Sequence, residues 1–335
     1  MPARVQQRAI DDPAVSAFLA ARSTYLFQEP VWQHVLATLG HLVAYYCLEE
    51  DGRLRVVQPA VRMKLGFFRL LYCGVPYGGP VGDADRLTEF FEGLAETARG
   101  EGMHRIRVSH NCYDADLSAL PHCQVQEHVQ QVLSLGGRSE EEVWGSLKSR
   151  TRRDARLGAK RGVTIETADT PAARDALFGL YARTMQRNET FTVWRREMVE
   201  RMWDLVVGPG RGEMLLARHE GEPLAGLVSL YSGKRCFYFL GASSGEKRTL
   251  CPNDAVIWEA IRRAIAHGCD DFDLMMASRD DLPLIEFKSK WGAERHAFRF
   301  YERDLSRIAC GLWNVSFRIV RTRVGGRLVR LLRGQ

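Results

Sequence analysis

Apolar and polar positions along the chain switch between two spacings, and the switches mark the elements. From Arg235 to Leu240 the run is short, aromatic and unbroken, which predicts a buried strand. A polar loop follows, and Pro252 and Asn253 open a segment in which Ile257, Trp258, Ile261, Ala264 and Ile265 recur at helical spacing. Gly268 stands where such a helix stops, and Phe272 to Met275 predicts a short strand. The first half repeats this order. Leu70 to Gly74 is followed by the loop VPYGGPVG, a helical pattern from about Ala84 to Arg99, then Gly100 and Gly102, and an alternating run from Arg105 to Ser109. Strand, loop, helix, glycine, strand thus occurs twice, with little other likeness between the two stretches.

The remaining pattern fills in around this repeat. Pro30 to Leu39 predicts a short amphipathic helix. Leu42 to Leu48 and Leu54 to Met63 predict strands joined by the turn Glu50-Asp51-Gly52, and Gln126 to Leu135 predicts a strand closing the first half. In the second half Val163 to Thr167 predicts a strand. Helices follow over 172–186 and 195–206, the second broken by Pro209-Gly210. Glu213 to Arg218 and Leu224 to Tyr231 predict a hairpin around Glu220-Gly221-Glu222-Pro223. Between the halves Ser139 and Glu142 form a capping box, predicting one helix from there to Gly162.

Composition narrows the class. With 335 residues, 45% hydrophobic and 26% charged, the chain has room for two soluble domains. No stretch is long and apolar enough to span a membrane, and Met1 to Ile10 lacks the apolar core of a signal peptide. The expected place of work is therefore the cytoplasm, or the inner face of the membrane. Eight cysteines are scattered without a CxxC, so the reading is reduced thiols and no zinc site. Asp270, Asp271 and Asp273 do not converge on a strand, and no metal is expected. The motifs GxSxG, HExxH and GxxxxGK[ST] are missing.

The net charge of +6 matters less than its placement. The junction helix carries Lys148, Arg150, Arg152, Arg153, Arg156, Lys160 and Arg161 against Asp154 alone. A solvated helix face is the bland reading. A surface that attracts a polyanion, such as a tRNA backbone or a diphosphate, is the sharper one, and it makes Arg150, Arg152 and Arg153 candidate substrate-binding residues. After Asp304 the chain has no acid but seven arginines among apolar residues. Over 305–320 this suggests a helix packing back on the first half. Over 321–335 it suggests a surface for RNA or anionic lipid. Asn253, in the first turn of its helix, is a candidate substrate contact or a simple cap.

The ordered set YxLGA (Tyr238 to Ala242), a polar loop, PN (Pro252-Asn253), amphipathic helix, Gly268, FD (Phe272-Asp273) and FKxxWG (Phe287 to Gly292) resembles the FemAB-type branch of the GNAT-like acyltransferases. The resemblance covers about a sixth of the chain in its motif-bearing part. It implies an α/β (α+β) fold of two tandem GNAT-like domains with mixed, mainly antiparallel sheets, at 1–137 and 138–304, and a basic C-terminal segment at 305–335. It implies an N-acyltransferase that forms an amide bond, with aminoacyl-tRNA as donor, so that tRNA is a partner. The acceptor is the amine of a cell-wall precursor or a peptide natural product. No cofactor is expected beyond the co-substrate. Acyl-CoA or an acyl carrier protein is the alternative donor, for envelope polysaccharide synthesis. However, the [QR]xxGx[GA] loop of acetyl-CoA-dependent relatives is replaced after the 235–240 strand by SSGEKRTLCPN. A non-catalytic scaffold binding RNA or membrane is a third reading. The resemblance places a functional lysine at Lys288; Phe287 and Trp291, four apart on one face of a helical turn, point it toward the cleft beside the 235–240 strand, on which Tyr238 is a candidate substrate-binding residue. It also suggests a substrate loop at Tyr77, Gly78 and Gly79, which could equally be a tight turn.

Overall fold

A computed structural model describes residues 4–22, 24–188 and 194–320. In chain order the first elements are β1 (Arg4–Arg8), α1 (Pro13–Ala20), α2 (Pro30–Ala37), β2 (Leu42–Glu50), β3 (Arg53–Leu65), β4 (Phe68–Cys73), β5 (Val81–Gly82), α3 (Leu87–Gly100) and β6 (Arg105–His110). Then come β7 (Gln124–Ser134), α4 (Glu140–Ser146), α5 (Ser149–Lys160), β8 (Thr164–Thr167), α6 (Pro171–Arg187) and α7 (Arg196–Met202). A π-helical turn at Trp203–Arg211 leads to β9 (Gly212–His219), β10 (Glu222–Ser232), β11 (Arg235–Ser243), α8 (Pro252–Ala266), β12 (Asp271–Ala277) and α9 (Leu282–Ser289). The last elements are β13 (Glu294–Asp304) and α10 (Arg307–Val320).

The chain forms two compact units, one within 1–33, 40–126 and 299–335, the other within 34–39 and 127–298. In the first, the strands run β1-β2-β3-β4-β6-β13, with β5 beside β3. Every pairing is antiparallel except β4 with β6, which α3 connects. In the second, the order is β8-β9-β10-β11-β12-β7, again antiparallel except for β11 with β12, which α8 connects. The repeat read from the sequence is therefore a repeated parallel crossover, each in a mixed, mainly antiparallel sheet.

The sixth strand of each unit differs from expectation. Gln126 to Leu135 was expected to close the first half, yet residues 129–134 pair with β12 of the second unit. The corresponding strand of the first unit is supplied by Arg299 to Asp304, paired with β6. Charge explains why β13 fits there. Glu302 lies across from Arg107 and Asp304 across from Arg105, and each pair makes an ion contact. Arg105 also reaches Glu302 at 3.1 Å, and both side chains are buried.

Each sheet is covered by the helices its sequence pattern predicted. Leu87, Phe90, Phe91, Leu94, Ala95 and Ala98 form the buried face of α3. In the second unit Leu215, Ala217, Ala225 and Leu227 pack with Val256, Ile257, Ala260 and Ile261 of α8. On the other face, a Cβ at Gly226 would press on Leu177 of α6 and on Leu216.

The junction helix is two helices, not one. Ser139 caps α4 through the expected capping box, but Leu147 and Lys148 are extended, and α5 starts anew at Ser149. Gly145 and Ser146 are weak helix formers, and the break lets Leu147 enter the core.

The buried Arg105–Glu302–Arg107 group gives a direct test. Glu302→Ala leaves Arg107 without its carboxylate and Arg105 with Asp304 alone, and should destabilise the protein by about 3 kcal/mol, read as a lower urea midpoint.

Candidate active site

Parallel pairing between β11 and β12 lasts three residues, from Arg235 opposite Asp271 to Phe237 opposite Asp273. Beyond that the two strands no longer exchange hydrogen bonds, so their backbone groups become available to other partners. Both strands are irregular there: β11 carries an extra residue, Phe239, against β10, and β12 is irregular against β7. The register of β12 to β7 moves from Asp273 opposite Val132 to Met276 opposite Gln130, which inserts an extra residue. Met275 sits at φ +62°, a conformation costly for a side chain with a Cβ. The buried carboxylate of Asp273 holds it there. One oxygen accepts from the Met275 N–H at 2.7 Å, the other from Nε2 of Gln130 at 2.6 Å.

The bulge turns two carbonyls toward Lys288. Its Nζ donates to Met275 O at 3.1 Å and Met276 O at 2.9 Å. The third N–H of the ammonium has no partner among the described residues. Lys288 is 4% exposed, so it is not an ordinary surface lysine. Burial lowers its pKa to about 8, opposed by the neighbouring carboxylate of Asp273 and then by Asp281. The side chain reaches β12, where the bulge supplies acceptors, beside the point at which β12 leaves β11. The helix that carries it is fixed from both ends. Asp281 caps α9 through the Leu284 N–H, and Gln131 of β7 donates to Ile285 O and Ser289 Oγ. Trp291 is fully buried, with Phe287 packed at the edge of the same core.

Lys290 points elsewhere. It forms an ion pair with Asp254 in the first turn of α8, and its ammonium lies over the rings of Phe287 and Trp291. Asn253 is the second residue of α8, but it is not the cap: the N-cap is Cys251, at φ +52°, and no side chain caps the helix. The first-turn N–H groups therefore face outward with the positive end of the helix dipole. Tyr238 lies on β11 just past the end of pairing, and its hydroxyl occupies the space a Cβ at Gly241 would need. Burial pushes its phenol up to about 12.

The basic helix α5 is packed close to these elements. A Cβ at Gly158 would sit 2.9 Å from that of Ala255 on α8, and Thr151 donates to Lys290 O at 3.1 Å. Its outer face, with Trp144 of α4, lines an open groove of about 460 Å³ formed by Ser149, Arg152, Arg153, Arg156, Leu157 and Lys160. Arg156 stacks on Trp144, whose ring also meets Trp258. Two of the three expected arginines, Arg152 and Arg153, line this groove. Arg150 does not, and at 85% side-chain exposure it lies 3.8 Å from Asp154. The sequence pattern offers Asp273 as a failed metal ligand and as part of the FD motif, with no role attached, and it gives no role to Gln130. The bulge that unites them with Lys288 has no glycine to announce it.

Tyr77, Gly78 and Gly79 belong to the first unit and form the tight turn. All three are buried, Gly78 O accepts from Gln58 and Gly79 O from Gln28, and the Tyr77 ring packs edge-on against Phe27. A Cβ at Gly74 would strike Gly78 O, which is why this turn needs its glycines. These contacts inside the first unit are those of the tight turn.

Residues 145–289 match the family model described as an acetyltransferase (GNAT) domain. This segment is a GNAT acyltransferase domain. Lys288, Asp273, Tyr238, Asn253 and the arginines of α5 all lie within the matched span of this domain. The chain is 18% identical to the Lipid II:glycine glycyltransferase of Staphylococcus haemolyticus, over 80% of its length and 84% of that protein's. It is 32% identical over 79 residues to the enzyme of the same name from Staphylococcus saprophyticus, which is 22% of this chain and about a fifth (19%) of that protein. A crystal structure of FemX superimposes with TM-score 0.68 at 18% identity, covering 92% of this chain and 99% of that one. A tandem GNAT protein from the clavulanic acid biosynthesis pathway superimposes with TM-score 0.62 at 13% identity, covering 91% and 99%. These structures share the tandem GNAT fold. Among the described residues no helix is long and apolar enough to cross a membrane.

The Lys290–Asp254 pair should matter for stability. Lys290→Ala removes a partly buried ion pair and two ring contacts and should cost about 1–2 kcal/mol, between exposed and buried pairs. Thermal melts of the variant beside wild type measure it.

Proposed function

We propose that the protein transfers an aminoacyl group from aminoacyl-tRNA to the amine of a peptide of the peptidoglycan-precursor class, forming an amide. The observation that carries this is a buried ammonium with one unused donor, set where two strands of the GNAT domain part. The glycyltransferase names of the two relatives, and the basic groove on α5, support the choice of donor and acceptor.

In this reading the acceptor amine attacks the ester carbonyl carbon and a tetrahedral oxyanion forms. The third N–H of Lys288 donates to that oxygen, or to the ribose oxygen as its bond to carbon breaks. The amine's proton leaves with the ribose oxygen or to water. Asp273 acts through the backbone. By fixing Met275 at positive φ it holds the carbonyls that orient Lys288, and it is a positioning residue. Tyr238 lies along the substrate path past the end of pairing, and the N–H groups at Asn253 and Asp254 face negative charge on the donor. Arg152, Arg153 and Arg156 take the donor's phosphates, with Arg150 at the margin. An acyl-CoA donor is the second reading, and the uncapped N-terminus of α8 favours it, since a diphosphate suits such a site.

Incubating the full chain with labelled aminoacyl-tRNA, and separately with labelled acetyl-CoA, each with precursor pentapeptides, distinguishes the donors. Label should reach the peptide only from tRNA. Transfer from acetyl-CoA alone would overturn the donor assignment.

Lys288→Ala should lower kcat by about 10²–10³ with the folded fraction unchanged. Its pKa near 8 fixes a pH signature. The ammonium prevails at pH 7 and is lost above pH 8, so the rate should fall as pH rises through about 8. A rate that rises there would make the lysine a base. The same shift acts on stability. Between about pH 8 and the unfolded value of 10.5 the unfolded chain holds more protons, so stability rises with pH across that window and is flat below it.

The combined variant Arg152→Ala/Arg153→Ala/Arg156→Ala should raise KM for the polyanionic donor and leave kcat within a few-fold. The slope of log KM against log salt should become shallower by roughly 0.7–0.9 for each phosphate that is no longer neutralised. Initial rates over a salt series read both.

A further inference from the structure

Helix α10 has two apolar faces, and one is uncovered. Cys310 and Trp313 pack inward on the first unit, Trp313 stacked on Phe68 of β4 with ring centroids 4.7 Å apart. This is the inward packing expected of 305–320. Ile308, Leu312 and Val315, spaced four and three residues apart, share the opposite side and are 79%, 58% and 59% exposed. Three such residues in register on a helix that is already anchored are not scattered surface apolars.

Beside this helix is the β3–β4 hairpin. Its tip carries Phe67, 53% exposed, whose ring meets Trp313 edge-on at 6.2 Å. Lys64 and Arg69 face each other across that hairpin, and both are exposed. From Leu305 to Gln335 the sequence has seven arginines and no acid. The stretch 321–335, expected to form a polyanion or membrane surface, lies outside the described residues.

We propose that the uncovered face of α10, with the tip of the β3–β4 hairpin, binds the surface of an anionic lipid bilayer. An RNA partner would account for the arginines and leave the apolar stripe in water. A protein partner would account for the stripe but would need an acidic surface along the whole segment. A bilayer of anionic lipid meets both demands at once: the stripe and the exposed aromatic enter the acyl boundary, and Lys64 and Arg69 lie among the headgroups. The helix then lies in the plane of the surface, and among the described residues no helix is long and apolar enough to cross. This inference does not rest on the acyltransferase reading, because its test measures partitioning and not turnover.

The experiment is flotation of the full chain with vesicles of phosphatidylglycerol and phosphatidylcholine, and with phosphatidylcholine alone. Wild type should float with the anionic vesicles, weakly with the neutral ones, and less as salt rises. Ile308→Ser/Leu312→Ser/Val315→Ser should lower partitioning by about tenfold or more. Phe67→Ser, a single exposed change, should lower it by a smaller factor. Unchanged melting temperatures confirm that both variants fold. Equal flotation of wild type and the triple variant, or no flotation of either, overturns the assignment. So does a wild-type dimer in sedimentation velocity that the triple variant dissolves while flotation is absent, since the stripe would then bind a second copy of the chain.

Discussion

An ammonium buried in protein must find acceptors, and the second unit is arranged around one that does. Lys288 takes two carbonyls from a strand that would, if regular, spend those carbonyls on its neighbours. The bulge in β12 releases them, and Asp273 stabilises the bulge by accepting the N–H of the residue held at positive φ. Charge, hydrogen bond and backbone conformation are thus mutually dependent. The pairing of β12 with β11 ends at this level, where β11 is irregular too, so space opens beside the lysine.

The remainder of the unit holds this arrangement in place. Gln130 and Gln131, consecutive on β7, reach Asp273 and α9 respectively. One strand thereby fixes both the acceptor strand and the helix that carries the donor. The ion pair of Lys290 with Asp254 ties the end of α9 to the start of α8, and Thr151 ties α5 to the same point. The basic groove is therefore set relative to Lys288 by packing within one unit.

Much of this is legible in the sequence, for identifiable reasons. Helix and strand periods locate nearly every element, because each buries one face. The twofold strand–helix–strand order becomes two parallel crossovers. The FK of the FKxxWG segment locates Lys288, and the buried Trp291 shows why the segment is rigid. What is not legible depends on long-range pairing. A strand's period says that it is buried, not beside which strand, so the pattern of Gln126 to Leu135 points to the wrong sheet. The bulge at Met275 carries no glycine or proline, so nothing in the local sequence signals it. The break at Leu147 follows from where the core lies, which the capping box at Ser139 cannot foretell. Charge alone selects Arg150 with Arg152 and Arg153, whereas helix geometry puts Arg156 and Lys160, not Arg150, on the grooved face.

The exchanged sixth strands bear on how the chain comes to be folded at all. β6 of the first unit has its last partner in residues 299–304, so that sheet stays one strand short until those residues, about 190 positions later, have been synthesised. The six strands paired as β8-β9-β10-β11-β12-β7 in the second unit lie between Gln124 and Ala277 and are available earlier. Vectorial synthesis would therefore finish the later-encoded sheet first and the earlier-encoded one last. During that interval Arg105 and Arg107 wait without the acids that neutralise them, and the N-terminal half behaves as an open template that only its own distant C-terminal strand is charged to fill.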